Sequence, residues 1–207
     1  MLSFANYKKQ FGNTTIISIP ELELAHGIYW LKGENGSGKT TLIKSISGLI
    51  PFDGRIAVAG NDIRTNRMLY TSIVNYAEAE PLYPSFLSGT DLINFYKQTK
   101  NATETQANAL IDTLGIAGYA GNKTGTYSSG MAKKLSLVLG FLGSPKLILL
   151  DEPLITLDLQ SVQALQMLVQ QYHANGVSFL ITSHQEITFD MLAPVRLLIK
   201  DKTLVTA

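Results

Sequence analysis

The sequence predicts an α/β fold in which a mixed sheet is interrupted by a helical sub-domain over about 81–144. Three observations carry this. Two short apolar runs, Lys146 to Leu150 and Val177 to Thr182, have the length and continuity of strands buried on both faces of a parallel sheet. Between and around them run stretches of helical period, such as Leu42, Ile43, Ile46 and Leu49 at offsets of 3, 4 and 7. From Pro81 to Ser144 the strand signals stop, and helix caps and stops take their place.

The elements follow in order. Ile16 to Ile19 and Leu22 to Leu24 read as short strands, and Gly27 to Lys32 as a strand running into a Gly-rich turn. A helix spans Thr40 to Leu49. Gly54 to Gly60 reads as a hairpin arm and Ser72 to Tyr76 as a strand. Thr90-Asp91 caps a helix through Lys100. Thr103, with Gln106 three residues on, is a capping box for a helix that Gly115 stops. A third helix follows Gly130. A helix from Leu159 to His173 ends at Asn175-Gly176, and Val195 to Lys200 with Thr203 to Val205 form a hairpin over Asp201-Lys202.

Composition limits what such a chain can do. Its 207 residues suit one domain, read as 1–207, with enough length to bury a sizeable core. Apolar residues make up 45% and charged residues 16%, which marks a folded chain rather than a disordered one. A net charge of +1 supplies no field to draw nucleic acid or anionic lipid, so no nucleic-acid partner is expected. With no cysteine, disulfides and thiolate chemistry are excluded. The N-terminus lacks the apolar core of a signal peptide, and no apolar run approaches the roughly 18 residues of a membrane span.

The strongest chemical signal is Gly33-Glu34-Asn35-Gly36-Ser37-Gly38-Lys39-Thr40, which fits G-x-x-x-x-G-K-[ST]. Its glycines let successive backbone N–H groups face one centre, and the following helix aims its positive end there. Lys39 supplies a point charge for the β- and γ-phosphates, and the Thr40 hydroxyl a hard oxygen for Mg²⁺. A strand before the loop and an amphipathic helix after it complete a P-loop NTPase core. Gly33 and Asn35 to Thr41 are therefore the candidate ATP-binding residues.

A second signal closes an apolar strand: Leu147-Ile148-Leu149-Leu150 leads into Asp151-Glu152. The carboxyl edge of such a strand is where α/β sheets bind ligands. Asp151 suits Mg²⁺, and Glu152 could polarise a water attacking the γ-phosphate, a role worth about 10² to 10⁴ in rate. His184 ends the other apolar strand. It is either a structural residue or a group reaching the γ-phosphate or the attacking water.

These pieces, in this order, resemble the nucleotide-binding subunit of an ATP-binding cassette (ABC) transporter over nearly the whole chain. The family's signature motif has its counterpart in Tyr127-Ser128-Ser129-Gly130-Met131, followed by a basic helix start at Ala132-Lys133-Lys134. Asp158 resembles the D-loop aspartate and His184 the switch histidine. Phe11 resembles the aromatic on which adenine stacks, with Tyr7 as the alternative. The resemblance implies a mixed sheet with an antiparallel β arm, and two cassettes closing head to tail over ATP and Mg²⁺. Ser128, Ser129 and Gly130 of one then meet the phosphates held by Lys39 of the other, with Glu152, His184 and Lys39 as catalytic groups.

Two departures stand out. Ser129 and Met131 break the usual LSGGQ, and the variant is similar to that of an exporter-leaning branch with separate membrane subunits. The Q-loop, expected around Tyr76 to Tyr83, has no glutamine: Ala79 takes its place, so Glu78 or Glu80 substitutes or the contact is missing. The expectation is an ATPase subunit on the cytoplasmic face of the cell membrane. Its partners are an integral membrane subunit, met through the helical region near Phe86 and Leu87, and a second nucleotide-binding subunit, identical or not. A regulatory ATP-binding module with little hydrolysis is the rival reading. A cassette working on ribosomes or DNA is the third, disfavoured by the single cassette and the near-neutral charge.

Overall fold

A computed structural model describes residues 1–183 and 194–206. Ten strands and six α-helices lie within them: β1 (Leu2–Phe11), β2 (Thr14–Leu24), β3 (Ile28–Lys32), α1 (Lys39–Ile46), β4 (Asp53–Val58), β5 (Asn61–Asp62), α2 (Arg67–Ile73), β6 (Val74–Ala77), α3 (Gly89–Thr99), α4 (Glu104–Thr113), α5 (Ser129–Phe141), β7 (Leu147–Asp151), α6 (Leu159–Ala174), β8 (Ser178–Thr182), β9 (Val195–Lys200) and β10 (Thr203–Thr206).

The strands form two sheets. The larger has the order β10-β9-β3-β8-β7-β6 and is parallel except for β10, which turns back on β9. The mixed sheet expected from the sequence is therefore present. The smaller, β2-β1-β4-β5, is antiparallel throughout and is the expected β arm.

Side chains alternate across a strand, so the apolar runs of the larger sheet feed two cores at once. In β7, Leu147 and Leu149 face the core shared with α1 and the antiparallel sheet. Ile148 and Leu150 face the core shared with α3, α4, α5 and α6. Tyr29 and Leu31 part from Ile28 and Trp30 in the same way in β3. This double burial explains why these strands show no polar alternation.

Several local expectations need correction. Strand β1 was not expected at all. Its alternation, with Leu2, Phe4, Tyr7 and Lys9 inward, slips by one residue at a bulge where Asn6 has φ 50. The two short strands at 16–19 and 22–24 are one strand, β2, which runs through Pro20. Residues 72 and 73 end helix α2 rather than starting a strand: Asn66 caps that helix, and the Tyr70 hydroxyl donates to Ile46 O at 2.6 Å. Helix α1 ends before Leu49, which is exposed.

Ser88, not Thr90-Asp91, caps α3, and Asp91 is the reciprocal partner three residues on. Thr103 does cap α4, but Gln106 leaves the expected box. Its amide instead spans Gly143 N, Gly143 O and the Tyr172 hydroxyl. The terminal hairpin matches expectation, with Asp201 and Lys202 both at positive φ as a tight two-residue turn requires.

Candidate functional site

In a parallel sheet every strand ends on the same edge, so β3, β6, β7 and β8 deliver their carboxyl ends together. The loop after β3 is Gly33 to Thr40. Gly38 has φ 105, a conformation that a Cβ disfavours, and Leu42 N donates to Gly38 O at 2.8 Å as α1 begins. Lys39 folds back over the loop, its ammonium donating to Gly33 O at 2.8 Å and Glu34 O at 3.0 Å. The Ser37 hydroxyl is buried without a hydrogen-bond partner and packs where a Gly33 Cβ would stand. Asn35, Gly36 and Thr40 are exposed, and Thr41 is half-buried.

Asp151 is buried at the end of β7. Its Oδ1 accepts from the Thr182 hydroxyl at 2.6 Å and its Oδ2 from the Tyr76 hydroxyl at 3.3 Å. Burial, and then the neighbouring Asp151 charge, push the Tyr76 hydroxyl far above its ordinary pKa, so it stays a donor. Glu152 follows with φ 45, and its N–H donates to the same Thr182 hydroxyl at 2.9 Å. Thr182 thus orders both members of the acid pair.

Sequence reasoning missed Thr182 and Tyr76. The signal for Thr182 lay in register: it stands directly opposite Asp151 in the β7–β8 pair. Tyr76 lies on β6, the neighbour of β7 on the other side.

The signature turn sits at the start of α5. Ser128 is its cap, accepting from Met131 N at 3.2 Å, and Ser128 and Ser129 are exposed. The helix therefore begins at Ser129 and includes Gly130, which it was expected to follow. Gly130 packs so closely on the next loop that an added Cβ would stand 2.9 Å from Thr156 O. Asp158 caps α6 through Ser161 N at 2.8 Å. The adjacent Lys134 ammonium, then the hydrogen bonds from Ser161, hold its carboxyl well below the usual range.

Beyond Gly130 on the same helix, Lys133 is buried and donates to Glu78 O, Ala79 O and Asp151 O. Burial pushes this ammonium down to about 8, while Asp151, Glu152, Glu78 and Glu80 pull it up. Ala79, the expected Q-loop position, is half-buried just past β6.

Of the two candidate adenine platforms, Tyr7 is fully buried with its hydroxyl donating to Ser45 Oγ at 2.9 Å. Phe11 is 56% exposed, with the Lys9 ammonium 4.6 Å from its ring centroid. A cleft of about 700 Å³ beside the phosphate loop is lined by Thr15, Ile16, Gly33, Ser37, Asp201 and Lys202. His184 lies outside the described residues. His26 and His173 stack on each other with ring centroids 4.4 Å apart.

The protein-family model for ABC transporters matches residues 21–155, more than half of the chain. The chain belongs to the ABC transporter family. This cassette is 30% identical over 186 residues to the lantibiotic transport ATP-binding protein SrtF of Streptococcus pyogenes, covering 89% of this chain and 80% of that one. It is also 30% identical over 180 residues to the aliphatic sulfonates import ATP-binding protein SsuB 2 of Burkholderia cenocepacia, covering 86% and 65%. A solved structure described as the ATP binding subunit of an ABC transporter matches the cassette's fold with a TM-score of 0.90, at 20% identity over all of this chain and 89% of that one.

Family membership makes this cassette an ATP-binding, ATP-hydrolysing subunit of a transporter. Among the described residues no helix is long and apolar enough to cross a membrane.

Proposed function

We propose that this ATPase powers a separate membrane subunit, an exporter, from the cytoplasmic face of the cell membrane, by closing as a dimer over ATP and reopening on hydrolysis. The observation that carries this is the shared edge where the phosphate loop, the Asp151-Glu152 pair and the loop after β6 converge. Backbone N–H groups of the loop, Lys39 and the Ser37 hydroxyl bind phosphate oxygens. Phe11 stacks on the base, and Ile16 and Lys202 line the cleft beside the loop.

Thr40 and Asp151 are the Mg²⁺ ligands in this reading. The donor set fits: both are hard oxygens, and each Asp151 oxygen keeps a lone pair beyond its one hydrogen bond. Two protein oxygens suit an ion whose remaining positions are filled by phosphate and water. When bound, Mg²⁺ neutralises charge on the phosphate oxygens.

Glu152 takes the proton of the water that attacks the γ-phosphorus, and the bond to the β-phosphate oxygen breaks. Ser128, Ser129 and Gly130 present a hydroxyl and helix N–H groups to the γ-phosphate held by a second cassette.

The membrane subunit docks in a groove of about 700 Å³ between α2 and α3, lined by Leu49, Met68, Leu69, Tyr76, Glu78 and Phe95. Met68 and Phe95 are 86% and 60% exposed, large apolar side chains of the kind partners cover, set among polar lining residues such as Asn66, Asn75 and Lys100. Phe86 is also exposed, whereas Leu87 is half-buried against the core, so Phe86 is the better placed of the two expected contacts. The exporter direction rests on the Tyr127 to Met131 variant, since relatives of equal identity include an import subunit.

The test is steady-state ATP hydrolysis and ATP-dependent dimerisation of the chain beside Glu152→Gln. The expected result is turnover by the parent and an ATP-bound, inactive dimer for the variant. A parent that binds ATP without turnover or dimerisation supports instead the regulatory module, which Ala79 in place of glutamine favours. Purification of the chain from its native membranes without an integral membrane protein overturns the transport role.

A further inference from the structure

Lys133 is 1% exposed on α5, where its neighbours Leu135, Leu137 and Val138 are apolar. Burying an ammonium is costly, and an apolar residue would fill the space at less expense. The side chain repays that cost only through what it holds. Its three protons go to three backbone carbonyls: Glu78 O at 2.7 Å, Asp151 O at 2.9 Å and Ala79 O at 3.1 Å.

The register explains why these carbonyls need a donor. The β6–β7 pair ends at Ala77 opposite Leu150. One residue further, Asp151 still pairs with β8 on its other side, while the chain beyond β6 leaves the sheet. Lys133 takes over where the ladder stops and joins the two departing strand ends. Ser136, three residues along the helix, accepts from Glu78 N at 3.1 Å, so α5 grips Glu78 through both its N–H and its carbonyl. Glu78 also lines the groove. A continuous set of contacts therefore runs from the groove through Glu78 and Lys133 to Asp151 and Glu152. The same helix begins with the signature turn.

We infer that Lys133 is a positioning residue of the ATPase, tying the groove residue Glu78 to the backbone of Asp151 so that the shape of the groove sets where the Glu152 carboxylate stands. This rests on the proposed reading of the groove as the docking face and of Glu152 as the base. It assigns the link between them to a side chain, in a chain whose loop has Ala79 where glutamine is expected.

The experiment compares the full chain with Lys133→Met and Lys133→Gln, measuring steady-state hydrolysis and equilibrium binding of a fluorescent ATP analogue. For Lys133→Met, kcat is expected to fall on the order of 10- to 100-fold, as misplacement of a catalytic group does, while ATP affinity shifts less than about 3-fold. A folded Lys133→Met with wild-type kcat overturns the inference, and so does a parallel loss of ATP binding and turnover. If Lys133→Met does not fold, Lys133→Gln, which keeps two donors, is judged by the same split. Failure of both to fold makes Lys133 a folding residue and also overturns it. Glu152→Gln is run alongside: if it turns over as fast as the parent, the reading of Glu152 fails, and a kcat-only loss at Lys133 would then have to act elsewhere.

Discussion

Lys134 Nζ stands 2.7 Å from Asp158 Oδ2, which joins the helix of the signature turn to the cap of the helix that follows the acid pair. The contact is lateral, between the first turns of α5 and the cap of α6, both facing a second cassette in the proposed dimer. Its partner residues also differ in exposure, the lysine side chain at 20% and the aspartate at 57%. Ion pairs open to solvent add little to stability, so its value lies in fixing the start of α5 against the cap of α6.

Lys134→Met is therefore expected to move the melting temperature by no more than about 2 °C, while ATP-dependent dimerisation and turnover fall. Calorimetry and light scattering on the same sample check both halves. A large loss of melting temperature with normal turnover would contradict the assignment.

Gly130→Ala tests the contact on the other side of that turn. In an open helix this change stabilises by about 0.5–1 kcal/mol. Here the new Cβ would meet the carbonyl oxygen of Thr156 at 2.9 Å, and backbone cannot swing aside as a side chain can. Stability by denaturant titration is expected to fall instead of rise, and turnover to fall with it, while ATP binding to the single chain stays unchanged.

Thr182→Val keeps the shape of a buried side chain and removes its hydroxyl. Asp151 Oδ1 and Glu152 N then lose a shared partner, at a cost of about 1–3 kcal/mol for groups left unsatisfied. Turnover should fall more than stability alone explains. Single-turnover hydrolysis at saturating ATP reads this directly, and an unchanged rate would remove Thr182 from the site.

Phe11→Ala tests the exposed adenine platform, and Tyr7→Phe the buried hydrogen bond of the other candidate. Phe11 is open to solvent, so its loss is expected to weaken ATP binding and leave stability alone. Tyr7→Phe deletes a buried hydrogen bond to Ser45, which should cost about 1 kcal/mol and leave ATP affinity unchanged. An unchanged ATP affinity for Phe11→Ala would remove Phe11 from the site.

Lys100 gives a prediction in pH. Its ammonium donates to Thr71 O and Val74 O, and burial lowers its pKa from 10.5 to about 8. Between those values the unfolded chain holds a proton that the folded chain has released. Stability contributed by this group is thus flat below about pH 8 and rises with pH up to about 10.5. The stability difference between wild type and Lys100→Met, followed from pH 7.5 to 10 by urea titration, should grow in favour of wild type. A flat or shrinking difference would refute the shift.

Much of this was legible because the signals are local. The phosphate loop is contiguous, and the apolar runs of β7 and β8 stand out. The turn at Asp201-Lys202 is marked by two polar residues between apolar runs, of which Asp201 tolerates positive φ. What was not legible depends on partners distant in sequence. Strand β1 hides behind a bulge that only its pairing with β4 makes sensible. Helix α2 is short and presents Met68 and Leu69 outward, so no apolar stripe marks it. Gln106 has the sequence of a capping box, yet Gly143 and Tyr172, brought near by folding, offer its amide better partners.

Sequence alone established a nucleoside-triphosphate site, because glycines, a lysine and an acid pair at fixed spacing have little other use, while the likeness to the cassettes came from the turn at Tyr127 to Met131. Tertiary structure decided which aromatic is free to stack, that Thr182 and Tyr76 hold the acid pair, and that Lys133 bridges two strand ends. The reason is physical. A motif places chemistry along the chain, but the orientation of a carboxylate is set by donors on neighbouring strands and helices, and those become neighbours only when the sheet forms.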